Sequence, residues 1–320
     1  MTPYKFVDET SNTSAVVPWT GFAEKTDGYP PTAVYLPRRK NDSASTVDVL
    51  VWFHGHLVSS ARDLVRPASS DNDMQLRESV RDAKKDVIFV APWLGLTHAM
   101  DLGLLGKDSG FQVYLDMVLA GIAPFQKSHS NSAPDSLSLG KLIIACHSGG
   151  GVMMKSAAQH LGSYYDDNLK ECWGFDCFYD GDYPDWSRRN PKPEKYWYVG
   201  DGSGQGGDHS FQFMKEQYGT PKKPKPEKQR ITNTYLAYAV DKVLTMMKSV
   251  AYQPVIEDPD DWAPRRDVYS EVRRATDRYL DDATAGTYWS KLRPKLTNHF
   301  QVVRNLLGPR IKQSSWLQDA

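Results

Sequence analysis

Long apolar runs are absent from this 320-residue chain. No stretch reaches the roughly 18 apolar residues that a membrane-spanning helix requires. Excess charge of one sign is absent too: Lys and Arg number 39, and so do Asp and Glu. With no net field, the chain has no general attraction to nucleic acid or anionic lipid, although local patches stay possible. Cysteine is scarce. Cys146, Cys172 and Cys177 lack CxxC spacing, which speaks against a disulfide framework or a structural zinc site and for reduced thiols inside the fold. A Cys172–Cys177 bridge would need the backbone to bend between them. The N-terminal MTPYKFVDETSNTS has no secretory apolar core. Together with the odd cysteine count this leans toward the cytoplasm and leaves localisation open. Internal repeats are also missing.

What remains is an ordinary globular composition, with 40% apolar and 24% charged residues. The length suits one large domain over 1–320, with irregular insertions around 180–195 and 202–285, better than two equal halves. TAVYLP (32–37) is a strand candidate, followed by the turn-rich RRKNDSAS. VDVLVWF (47–53), DVIFVAPW (86–93) and KLIIAC (141–146) are continuous apolar runs, the pattern of strands buried on both faces. SGFQVYLDMVLAGIA has helical periodicity, with Asp108 or Ser109 as N-cap. Strands alternating with helices predict an α/β fold with a mostly parallel central sheet flanked by helices. WGFDCFY (173–179) and YWYVG (196–200) read as further strands. TPKKPKPEK (220–228) reads as a solvated linker, ITNTYLAYAVDKVLTMMKSV (231–250) as a helix, and VIEDPDDWAPRRD as irregular. HFQVVRNLL (299–307) predicts a terminal amphipathic helix.

The chemically informative stretch is KLIIACHSGGGVMMKSAAQHL: a buried strand, then Cys146-His147-Ser148-Gly149-Gly150, then a helix. A hydrolytic serine must be raised above a sheet edge on a steep, strained turn, with small residues two places to either side. Cys146 and Gly150 meet that condition, although Cys146 departs from the usual G-x-S-x-G. The plainer alternative is a flexible turn whose serine caps the helix. A cysteine-dependent phosphatase loop would need arginine at 152, which is valine. A dinucleotide fold would need its Gly-rich turn after the first strand.

In the order VYLP, VDVLVWFHGH, DVIFVAPW, ACHSGGG, GFDCFY, YWYVG and NHFQVV, most of residues 32–307 resembles the α/β-hydrolase superfamily, particularly its esterase- and lipase-like members. The resemblance implies that Phe53-His54-Gly55-His56 is the loop that supplies an oxyanion donor. The N–H of His56 is one donor, that of Gly149 the second, and Gly55 permits close approach of backbone to substrate. It implies a base late in the chain, His299 ahead of His209. It leaves the acid open, with Asp176 first, Asp201 as the alternative, and Asp180 and Asp182 behind. A metal pair at His54 and His56 lacks a convincing third ligand.

The implied activity is cleavage of a small-molecule or lipid-like carboxylic ester through an acyl-enzyme intermediate. It calls for no metal or organic cofactor and no nucleic-acid partner. An amidase or peptidase, or a non-catalytic binding protein on the same fold, are the alternatives, and oligomeric state is not fixed by the sequence. Aromatics near the strand ends, Trp93 and Tyr196–Tyr198 among them, would mostly pack core and rim, with a few walling an apolar pocket.

Overall fold

Residues alternating along each central strand send their side chains to opposite faces, and here both faces are apolar. Val49, Val51 and Phe53 join one buried cluster with Leu142, Ile144 and Cys146. Leu50 and Trp52 join the other with Ile143 and Ala145. A strand apolar on both sides is stable only between two layers of helix, and that is the arrangement found. The computed structural model describes residues 2–8, 19–37, 39, 41–56, 58–67, 74–95, 102–175, 177, 193–198, 255–257 and 301–320.

Nine strands are found among the described residues: β1 (Val7–Asp8), β2 (Trp19–Ala23), β3 (Thr32–Leu36), β4 (Thr46–Phe53), β5 (Ile88–Pro92), β6 (Ser138–His147), β7 (Leu169–Phe175), β8 (Glu194–Tyr198) and β9 (Val255–Glu257). They form one sheet in the order β1-β2-β3-β5-β4-β6-β7-β8-β9. The five strands β5, β4, β6, β7 and β8 pair in parallel. β1, β2 and β3 add on by antiparallel pairing at one side, and β9 does so at the other. The α/β class with a mostly parallel sheet is therefore as the sequence predicts.

Helices α1 (Leu76–Ala83), α2 (Gly110–Lys127), α3 (Gly150–Gln159) and α4 (Tyr164–Asp167), with α5 (Gln301–Gln313) near the C-terminus, flank the sheet. α2 contributes Phe111, Leu115, Val118 and Ile122 to the first cluster, with Met154 and Ala157 of α3 beside them. α1 and α5 pack on each other and supply Val80, Val302, Val303 and Leu307 to the second. No helix among the described residues is long and apolar enough to cross a membrane.

Several boundaries differ from the sequence expectation. β7 begins at Leu169 and ends at Phe175, rather than spanning 173–179. Its first half contains Lys170 and Glu171, which break the apolar run. Glu171 is nonetheless fully buried, accepting from Trp173 Nε1 at 2.8 Å and from Arg310 at 3.4 Å. β8 starts at Glu194, within the segment expected to be irregular. Val255–Glu257, expected to be irregular, is a strand paired with Tyr196–Tyr198. Two β-branched residues and an edge to pair with are enough for so short a strand. Ser109 does stand at the start of α2, but at φ 55 and without a side-chain capping bond. α5 runs to Gln313, six residues past the expected end at 307, and carries Pro309 within it. The helix expected over 231–250 and the linker over 220–228 lie outside the described residues.

Candidate active site

The strand β6 ends at His147 and α3 begins at Gly150, so the chain must reverse direction within two residues. Ser148 absorbs that reversal at φ 54, in the left-handed region that costs a residue with a Cβ about 1 kcal/mol or more. Asp27, Gln75, Lys84 and Ser109 also have positive φ, so the angle alone is not distinctive. The surroundings are. Ser148 is buried, its N–H donates to Phe175 O at the end of β7 (3.1 Å), and its own carbonyl accepts from Gly151 N–H (3.1 Å). The turn is thereby stitched to the neighbouring strand and to the helix it opens. The first position of α3 is capped by Gly149, with no side-chain capping bond. Ser148 stands one place before that cap.

Two close approaches explain the glycines on either side of the serine. A methyl group at Gly150 would stand 2.2 Å from Phe53 O and 2.6 Å from His54 O. Only a residue without a side chain lets α3 start against the end of β4. A methyl group at Gly55 would stand 2.7 Å from Ser148 Cβ and 3.2 Å from its Oγ. The loop after β4 thus lies directly against the serine, and Gly55 makes that contact possible. His56, the next residue, has its ring over Gly149: a methyl group there would meet His56 Nε2 at 2.8 Å. The structure therefore brings Ser148, Gly149, Gly55 and His56 together.

Beneath this loop His54 is fully buried. Its Nε2 accepts the Leu94 N–H at 3.0 Å, which leaves the proton on Nδ1, donated to Gly55 O at 2.6 Å. Burial, opposed by that bond to Gly55, pulls its pKa down to about 4. Both ring nitrogens are thus engaged, so His54 braces the loop and offers no lone pair to a metal. The sequence reading placed His54 in the loop that supplies an oxyanion donor and missed this role. Its signal was position alone: a histidine between a buried strand and a glycine. Among the described residues no group of three His, Cys, Asp or Glu is arranged to hold a metal ion.

The remaining candidates are placed unevenly. Cys146, Cys172 and Cys177 are free and buried, with the Cys146 thiol pushed well above its usual pKa, chiefly by burial. Trp93 donates from Nε1 to Val58 O at 2.8 Å, which fixes it as a packing residue at the rim. His299, His209, Asp176, Asp180, Asp182 and Asp201 lie outside the described residues. Asp176 directly follows β7, whose last residue accepts the Ser148 N–H. His299 stands two residues before α5.

No protein-family model matches the chain, and no curated protein is similar to it. Solved structures similar to it include the rice cell wall degrading esterase LipA from Xanthomonas oryzae, at 12% identity and a TM-score of 0.31, covering 91% of this chain and 70% of that one. Carboxylesterase CesB from Bacillus subtilis is 11% identical with a TM-score of 0.29, covering 84% and 64%. Acetyl xylan esterase 1 from Thermoanaerobacterium sp. is 10% identical with a TM-score of 0.28, covering 54% of this chain and 52%, about half, of its own length. No residue role is carried over from them.

Proposed function

We propose that the protein is a serine hydrolase that cleaves carboxylic esters, with Ser148 as nucleophile. The observation that carries this is the strained, buried Ser148 between β6 and α3 with Gly55 of the β4 loop packed against its side chain. A serine spends backbone strain at a strand–helix turn where its hydroxyl must be held in one place. The N-terminal N–H groups of α3 face the developing negative charge that acyl transfer creates.

In the proposed reaction His299 removes the proton from Ser148 Oγ as the oxygen attacks the ester carbonyl carbon. The carbonyl electron pair moves to its oxygen, held by the N–H groups of His56 and Gly149; one such donor is worth about 3 to 4 kcal/mol. Collapse expels the alcohol, protonated by His299, and water repeats the sequence to release the acid. Asp176, with Asp201 as the alternative, holds the imidazole tautomer and steadies the imidazolium. No step calls for a metal or organic cofactor.

A p-nitrophenyl ester series tests the reading. Wild type should turn over at least one member, and Ser148→Ala and His299→Ala should each lose on the order of 10⁴-fold or more. Whichever of Asp176→Asn and Asp201→Asn falls by on the order of 10⁴-fold is the acid. Turnover that survives Ser148→Ala overturns the assignment. Hydrolysis of matched amides at a comparable rate would move the protein to the amidase reading.

A further inference from the structure

Gly149 has no backbone reason to be glycine. Its φ is −55 and its ψ −18, ordinary right-handed helical values that any residue adopts. What excludes a side chain there is His56. A methyl group at 149 would meet Nε2 at 2.8 Å and the two ring carbons beside Nε2 at 3.3 Å each. With both carbons only 3.3 Å away, the position a side chain at 149 would take lies over the face of the imidazole at Nε2. The ring occupies the space a side chain at 149 would fill, one residue beyond Ser148. The other end of the same stretch, Gly55, is pressed on Ser148 itself.

We infer that the His56 imidazole, through Nε2–H, is a third hydrogen-bond donor to the oxyanion, in addition to the two backbone N–H groups. The inference rests on Ser148 being the nucleophile. A Cβ position lies about 2.5 Å from its own amide nitrogen, so Nε2 is within about 5 Å of the Gly149 nitrogen. An oxygen that accepts from that N–H at about 2.9 Å fits between the two. When Ser148 Oγ bonds the carbonyl carbon, the π pair of the C=O bond moves onto this oxygen and the Oγ proton goes to the base. Nε2–H keeps its proton and only shares it. A donor held beside the oxygen before reaction favours the charged intermediate over the uncharged ester, so it acts on kcat rather than on substrate affinity.

His54, two residues earlier, steadies the loop that carries the ring. Its bond to Gly55 O and its acceptance of the Leu94 N–H immobilise the loop from which His56 projects. The short Gly149 also leaves the ring room, so Gly149→Ala should push the imidazole aside while the helix, whose backbone it suits, stays folded.

The test uses the full chain and three variants, His56→Ala, His56→Gln and Gly149→Ala. Their melting temperatures are read beside ester turnover, inhibition by phenylboronic acid and labelling by a fluorophosphonate. His56→Ala should lose kcat by on the order of 10²-fold with KM within about twofold, and boronate inhibition should weaken in step. His56→Gln, which returns an N–H donor, should recover part of both, and Gly149→Ala should lose kcat without unfolding. An unchanged kcat in His56→Ala, or a loss confined to KM, overturns the proposal. So does loss of phosphonate labelling as complete as in Ser148→Ala without rescue by Gln, which would make His56 the base. A wild type that is labelled but indifferent to His56→Ala removes this inference alone. A wild type that neither labels nor turns over removes the nucleophile assignment with it.

Discussion

His54 Nε2 accepts the backbone N–H of Leu94 across the ends of β4 and β5, at 3.0 Å. The acceptor is a lone pair, so the bond exists only while the ring is neutral. Burial holds its pKa near 4 in the fold, against about 6.5 in an unfolded chain. Because the folded value is the lower one, the unfolded chain takes up the proton first. The contribution of His54 is therefore complete above about pH 6.5 and is lost as pH falls from there toward 4, at up to about 1.4 kcal/mol per unit and about 3 kcal/mol in total. Urea unfolding at pH 7, 5.5 and 4.5 should show the gap between wild type and His54→Ala narrowing by that order. A gap independent of pH would mean that the ring is not held neutral.

The two close approaches around the serine separate stability from activity. Gly150→Ala sets a methyl group against two backbone carbonyls, which move only if β4 moves. It should cost more than about 3 kcal/mol, beyond ordinary overpacking. Gly55→Ala meets the Ser148 side chain first, at 2.7 Å, and His147 O only at 3.2 Å, so its effect should fall on turnover with a smaller loss of melting temperature. Calorimetry and ester assays on the two variants check this, and a fully active Gly55→Ala would contradict the packing.

The central strands were readable because β4, β5 and β6 are apolar on both faces, a pattern that needs no tertiary information. The strand–turn–helix around Ser148 was readable for a related reason: the strand before it and the helix after it are both written in local periodicity. The start of β7 was not. Lys170 and Glu171 look like a solvated end, and the guanidinium that accompanies Glu171 into the interior comes from Arg310, 139 residues away. Likewise β9 depends on β8 for its partner, and the bracing role of His54 depends on Leu94. Nothing in the sequence signalled that a side chain at 149 would meet a ring from another loop, that of His56.

That ion pair makes its own prediction. Arg310 and Glu171 are both buried, and the carboxyl is pushed up by burial and pulled back by Arg310. Arg310→Met strands the carboxylate and should cost about 3 to 5 kcal/mol. Glu171→Gln in the same chain should return much of it. A double-mutant cycle by chemical denaturation reads the coupling, and additive losses would show that the pair is not coupled.

The thiols should be silent in the native protein. All three are buried, and Cys146 lies in the core cluster under the turn. Ellman's reagent at pH 8 should titrate none of them on the timescale of minutes and all three in denaturant. Rapid native reaction would place a thiol at the surface.

The most direct measurement of the central claim is peptide mapping by mass spectrometry after reaction with a fluorophosphonate. A nucleophile held on the turn between β6 and α3 should give one adduct per chain, on Ser148, and none in Ser148→Ala. An adduct on another residue, or one that persists in Ser148→Ala, would contradict it.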